Sequence, residues 1–208
     1  MSENTGSRSS ELPEHPHPWL AVDTAVLTIF EAELCVALVS HDTKWRLPGT
    51  FVHEGESLAD AVCRSLRDAA GIHDLTPTQL HAFDAPRRDS RGRVVSVAHL
   101  VLVAPAALGG VAVEPVARLR GLAFDHDDIV TLAVDRVRAD YADNPDPWRL
   151  LGEEFTLFEL QRLHEAVAGA PLMRDTFRRA MERRLRATGG RRIGTVGKPA
   201  RLFRRIDS

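Results

Sequence analysis

The residues with most capacity for chemistry in this 208-residue chain lie between Leu47 and Ile72. Glu56 stands in a glycine-containing loop, and the stretch LADAVCRSLRDAA follows it up to Gly71. Acids at i, i+3 and i+4 of a helix share one face. Three carboxylates placed so can hold a magnesium ion against a diphosphate, because magnesium takes oxygen ligands in near-octahedral geometry. In this stretch such a trio is missing. A second polar stretch, Arg87 to Arg93, contains four arginines with Asp89 and Gly92. The guanidinium fork suits phosphate.

These residues need elements to position them. Trp19 to Phe30 and Glu33 to Ser40 are β-rich runs separated by a short polar turn and predict a hairpin. In the helix that follows Glu56, Leu58, Val62, Leu66 and Ala69 form one stripe. Ser57 is its expected N-cap and Gly71 its expected left-handed stop. Leu80 to Phe83 and Val94 to Val103 predict two strands flanking the arginine loop, with a weaker strand over Leu108 to Ala112. A helical period begins after Asp125, marked by Ile129, Leu132, Ala133 and Val137. Thr156 and Glu159 form a capping box, with Phe155 placed as a hydrophobic staple. A further helix is expected after Pro171, burying Phe177, Ala180, Met181 and Leu185 and stopped by Gly189 and Gly190. Two strands around the turn GTVGKP close the chain. The expected organisation is a disordered arm over 1–18, a mixed strand-and-helix domain over 19–120, and a helical domain ending in a hairpin over 125–208. The class is α+β.

Composition narrows the functions. With 44% apolar and 27% charged residues the chain is that of an ordinary soluble protein. No apolar run is long enough to span a bilayer, and a cytoplasmic protein without membrane contact is expected. Cys35 and Cys63 are too few for a zinc site or a disulfide framework and read as buried thiols. The net charge of −2 hides a segregation: from Leu172 onward 12 Lys+Arg stand against 3 Asp+Glu, a balance of +9, leaving −11 on the remainder. A basic end on an acidic body fits a polyanion-binding module.

Three helices and a basic hairpin are the layout of a winged helix-turn-helix. On a 100° wheel the last helix turns Thr176, Arg179, Arg183 and Arg186 outward, with Arg178 at the flank. Such a face can meet base edges and phosphates in a major groove, and Arg174 extends it at the N-terminal end. Arg191, Arg192, Lys198, Arg201, Arg204 and Arg205 of the hairpin suit backbone phosphates. Double-stranded DNA is therefore the expected partner. RNA is disfavoured because the sheet lacks the stacking aromatics of single-strand readers.

The stretch around Glu56 resembles the Nudix box, matching it at Glu56, Arg64, Leu66, Gly71 and Ile72 and departing from it at Thr50, Ser65, Asp68 and Ala69. As a whole the chain is similar to the Nudix-related transcriptional regulators of NAD metabolism. That resemblance is carried by RRDSRGRVVSVAHL, LAFDH, FTLFELQRLHEAVAG, DTFRRAME and GKPARLFR. It implies a Nudix-like domain joined to a winged helix, a homodimer on a palindromic operator, and a nucleotide effector such as ADP-ribose. The effector site is expected at Arg46, Phe51, Glu56, Arg64, Arg88, Asp89 and Arg91, without catalytic residues, metal or other cofactor. His126 and His164, inside the matching motifs, are taken as structural. The alternative is an ADP-ribose pyrophosphatase with an accessory C-terminal domain.

Overall fold

A computed structural model describes residues 17–73, 75–193 and 199–206. The expected arm, apart from its last two residues, and most of the GTVGKP turn, Lys198 included, lie outside the described residues. The expected hairpin forms from β1 (Trp19–Phe30) and β2 (Glu33–His41), antiparallel, with Leu27 opposite Val36. Its turn places Glu31 and Ala32 at φ 48° and 63°. Short strands β3 (Lys44–Arg46) and β4 (Gly49–Phe51) add to β2 and β1. Helix α1 (Leu58–Ala70) starts at the expected cap: Ser57 Oγ accepts from the Asp60 amide, and Gly71 ends it in the left-handed region at φ 63°. Next come β5 (Thr78–Phe83), β6 (Val94–Val103), a single 3-10 turn over Pro105–Ala107, and β7 (Ala112–Pro115). The weak strand expected over Leu108 to Ala112 thus begins only at its last residue.

The sheet runs β3-β2-β1-β6-β5, with β4 on β1 and β7 on β2, and β1 and β6 pair in parallel from Trp19–Val94 to Thr28–Val103. A strand buried on both faces reads as a continuous apolar run whose side chains still alternate. Val22 and Val26 of β1, with Val101 and Val103 of β6, face α1 through Ala61, Val62 and Leu66. Ala25 and Leu27, with Leu100 and Leu102, face the opposite way. On that side lies α2 (His126–Asp143), which presses Ile129, Ala133, Val137 and Tyr141 onto the sheet. α2, read from the sequence as part of the C-terminal module, therefore covers the sheet of the first.

The C-terminal part starts with β8 (Phe155–Thr156) and α3 (Leu157–Ala168), whose capping box and staple form as expected: Glu159 N donates to Thr156 Oγ1 at 3.2 Å, and Phe155 and Leu160 share a core. Helix α4 (Arg174–Glu182) is shorter than expected. The chain leaves the helix at Arg183 and enters β9 (Leu185–Arg192), which pairs with β10 (Ala200–Arg205). Helix propensity in RRLRAT loses to the sheet, because strand pairing seats Leu185 in the core with Phe155, Phe177 and Phe203. Ala180 is consequently exposed, and Gly189 and Gly190 lie within β9 rather than at a helix end.

The two parts join at a buried carboxylate. Asp146, just after α2, accepts hydrogen bonds from Tyr141 Oη (2.9 Å), Leu150 N (3.0 Å), Leu151 N (2.9 Å) and Arg205 Nη1 of β10 (2.7 Å). The Tyr141 hydroxyl is pushed up by burial and by the Asp146 charge, so it stays a donor. His164 of α3 is 2.6 Å from the Pro145 carbonyl through Nε2, and its ring stands edge-on between Tyr141 and Phe177. Leu163 and Val167 of α3 enter the α2 side of the sheet core.

Candidate effector cavity and nucleic-acid interface

The α1 face presents a single carboxylate at the box positions. Ser65 points into the core at 4% exposure, Asp68 faces solvent beside Arg67, and Ala69 is exposed. No group of three potential ligands exists among the described residues. The residues present do not fit the magnesium ion of the box. Glu56 and Arg64 instead form a lock. Arg64 Nε and Nη2 donate to Glu56 Oε1 and Oε2, both at 2.8 Å, and Nη2 also reaches the Phe51 carbonyl at 2.9 Å. Hydrogen bonds from Arg64, then from the His53 amide, hold the Glu56 carboxyl down at about 2. The pair fixes the loop over 50–56 and does not line the cavity.

That cavity, about 220 Å³, opens where β1, β4, the loop over 84–93 and the start of α2 meet. Of the seven residues expected at an effector site, Arg46, Phe51, Arg88, Asp89 and Arg91 line it. Asp23, His41, Phe124 and His126 join them, none of which the sequence reading selected as effector-binding. An aspartate inside the apolar run of β1 was the available signal, since carboxylates are rarely buried without a partner.

The floor is a buried charge network. The Arg88 side chain is 3% exposed and donates from Nε and Nη2 to Asp125 at 2.8 and 2.6 Å, and from Nη2 to Asp23 at 3.2 Å. Ser96 Oγ donates to Asp23 at 2.7 Å. His126 Nδ1 accepts from the Leu47 amide at 2.9 Å, which leaves Nε2 as the donor, 3.4 Å from Asp23. Burial alone would raise the Asp23 carboxyl, but hydrogen bonds from His126 and Ser96 and the Arg88 charge hold it at about 2. A side chain at Gly49 would not fit, since its Cβ would stand 2.1 Å from Asp23 Oδ1.

The wall is aromatic and cationic. The Arg91 guanidinium lies 5.4 Å from the Phe51 ring centre and 5.6 Å from that of Phe124. It bonds the Asp89 carboxylate at 2.7 and 3.0 Å yet remains 61% exposed. The Arg91 hydrogen bond in turn lowers the Asp89 carboxyl. Phe124 holds φ 58°, a conformation unfavourable for an aromatic residue, and stacks on His41 and His126. Arg46 donates from Nη1 to the Gly49 carbonyl at 3.3 Å, while its buried Nε has no acceptor among the described residues. Trp19, 68% exposed, stands 5.8 Å from Phe51. Together these groups can hold an anion between arginines and a flat ring against aromatics.

The basic face is arranged differently. Arg174, Thr176, Arg178 and Arg179 sit on the exposed side of α4, and Arg183 closes the helix, bonding the Arg179 carbonyl at 3.1 Å. Arg186 lies on β9 rather than on the helix and faces Arg204 across the hairpin; Arg191 faces Arg201. Arg174, Arg186, Arg191 and Arg204 pair with no carboxylate among the described residues. Arg178 pairs with Glu182, and Arg192 with Glu159. Arg205, named with the phosphate-facing arginines, is turned inward on Asp146 and is 12% exposed.

A sheet between two helices, with a loop-and-helix box beside it, joined to helices and a basic hairpin, defines a Nudix-type domain fused to a winged helix. The family model of the NrtR DNA-binding winged helix domain matches residues 147–205. NrtR of Shewanella oneidensis, solved with a 27mer DNA, is 32% identical and superposes with a TM-score of 0.73 over 90% of this chain and 93% of that one. Its Nudix domain, solved with ADP ribose, is 29% identical over 62% of this chain and 94% of that one, with a TM-score of 0.54. The ADPR responsive transcriptional repressor NtrR of Acinetobacter baylyi is 29% identical over 81% of this chain and 74% of that protein. An ADP-ribose pyrophosphatase of Methanocaldococcus jannaschii is 31% identical over 55% of this chain and 72% of that protein. The chain belongs to the NrtR family of Nudix-related regulators. Among the described residues no helix is long and apolar enough to cross a membrane.

Proposed function

We propose that this protein is a transcriptional repressor that binds a DNA operator through α4 and the β9–β10 wing and releases it when ADP-ribose occupies the cavity beside Asp23. The observation that carries this is the pairing of two features in one chain: an arginine-lined cavity, and a basic winged helix similar to one solved on DNA. Arg46 and Arg91 have the donors to meet the diphosphate. The cavity of about 220 Å³ is below the ~300–1,000 Å³ usual for drug-sized ligands, so part of ADP-ribose stays outside it, within reach of Phe51 and exposed Trp19. The molecule binds this ligand without hydrolysing it, as a cytoplasmic homodimer on a two-fold symmetric site. The first module extends through α2 to about residue 144, and the winged helix begins near 147.

The test is retention of a labelled duplex, selected by the protein itself from a random-sequence pool, with and without ADP-ribose. Sequence-dependent binding at moderate salt that weakens on adding ADP-ribose is expected. Sequence-independent binding, or binding indifferent to ADP-ribose, overturns the proposal. The likeness to the pyrophosphatase supplies a second reading, hydrolysis of ADP-ribose. It predicts AMP release with magnesium, and the exposed Asp68 facing Arg67 argues against it.

A further inference from the structure

Helix α2 has its two ends in the two places that repression and release must connect. Its first residues belong to the cavity: Asp125, the N-cap, is gripped by both arms of the Arg88 guanidinium, and His126 lines the wall. Asp127 accepts from the amides of Gly121 and Leu122, which ties the approach to Phe124 to the same turn. Eighteen residues later, about 27 Å along at 1.5 Å per residue, the helix ends on the DNA-binding module. There Tyr141 donates to Asp146, which also holds Leu150, Leu151 and Arg205 of the wing strand. Through His164 the Tyr141 ring is stacked in series with Phe177 of α4. Asp143 takes Arg184, just beyond the end of α4, at 3.1 Å, and Asp140 takes the Trp148 indole of the linker at 3.0 Å.

We propose that α2 is the coupling element of this regulator, with Asp125 reading the cavity and Tyr141 and Asp146 acting as positioning residues that carry the change to α4 and the wing. This rests on ADP-ribose being the effector of the cavity. The physical route is competition. A diphosphate entering beside Arg88 is a rival acceptor for a guanidinium now shared by Asp23 and Asp125. Any weakening of the Arg88–Asp125 bond leaves an unpaired carboxylate at the start of α2 and alters the seat of that end. The other end cannot shift alone, because Asp146 holds helix, linker and wing by four hydrogen bonds. Coupling of this kind is limited to the ligand's difference in affinity for the two arrangements.

The full-length Tyr141→Phe variant tests it. The ring and its stacking on His164 remain, and only the bond to Asp146 is lost. ADP-ribose affinity, read by calorimetry, and affinity for the selected duplex without effector should each stay within about threefold of the parent. The factor by which saturating ADP-ribose weakens DNA binding, typically ~5–150 in coupled systems, should fall at least fivefold. Asp146→Asn should lower the same factor. An undiminished factor in both variants overturns the role of α2. If the parent itself binds ADP-ribose without releasing DNA, or does not bind it, the functional reading falls with it, so the two failures are distinct. Should either variant fail to fold, amide exchange in the unmodified protein decides. ADP-ribose should change the protection of Leu150 and Leu151, and no change there overturns the proposal.

Discussion

Two sets of arginines divide this molecule. In the loop over 84–93 two are paired with carboxylates, buried Arg88 with Asp23 and Asp125 and exposed Arg91 with Asp89. Those of α4 and the wing stand largely unmatched, and two pairs face each other across the hairpin. Like charges directly opposite in a sheet destabilise it, so the wing carries a penalty that an external polyanion relieves. The first set suits one small anion, where geometry decides. The second is a field for a long polymer, where summed charge decides. The same side chain serves both ends because burial and pairing, not residue type, set what it does.

The contrast can be broken at several points. Arg88→Ala should have the largest effect: removing the buried cation shared by buried Asp23 and half-buried Asp125 should cost about 3–5 kcal/mol, measured by urea unfolding. A loss under about 1 kcal/mol would show that Asp23 and Asp125 are not held by it. Acid comes next. Asp23 is held at about 2 against an ordinary 3.8. Its contribution, roughly 2 kcal/mol, is fully present above 3.8 and is lost as pH falls through 3.8 towards 2. Asp23→Asn should flatten the pH dependence of unfolding in that window, and an unchanged slope would contradict the assignment. The double variant Arg186→Ala, Arg204→Ala should leave stability within about 0.5 kcal/mol. It should weaken duplex binding for every sequence and lower the log–log salt slope by about 2. Loss of only one sequence would make these residues base readers instead. The smallest effect is expected on α1, where Ala69→Glu is exposed and should be neutral within about 0.5 kcal/mol.

Local signals carried the sequence reading far. The β1–β2 hairpin, the Ser57 and Thr156 caps and the Gly71 stop all follow from patterns confined to a few residues, and all formed as expected. The failures share one cause. The end of α4 and the exposure of Ala180 depend on a partner distant in sequence, since Leu185 packs with Phe203. The cavity shows the same divide. Its arginine loop was conspicuous, while Asp23 and His126 gained meaning only when the fold brought β1, the loop and α2 together.

The parallel pairing of β1 with β6 has a consequence for how the chain matures. Trp19 meets Val94, seventy-five positions away, so the central seam of the sheet must wait for a long loop to close, whereas α1 and the β1–β2 hairpin can form locally. During synthesis the β1 edge, an apolar run, stays unmatched until Val103 has emerged. The nascent hairpin is then a template for unwanted strand addition. Folding yield, more than final stability, should be the quantity most sensitive to growth temperature and to substitutions along β6.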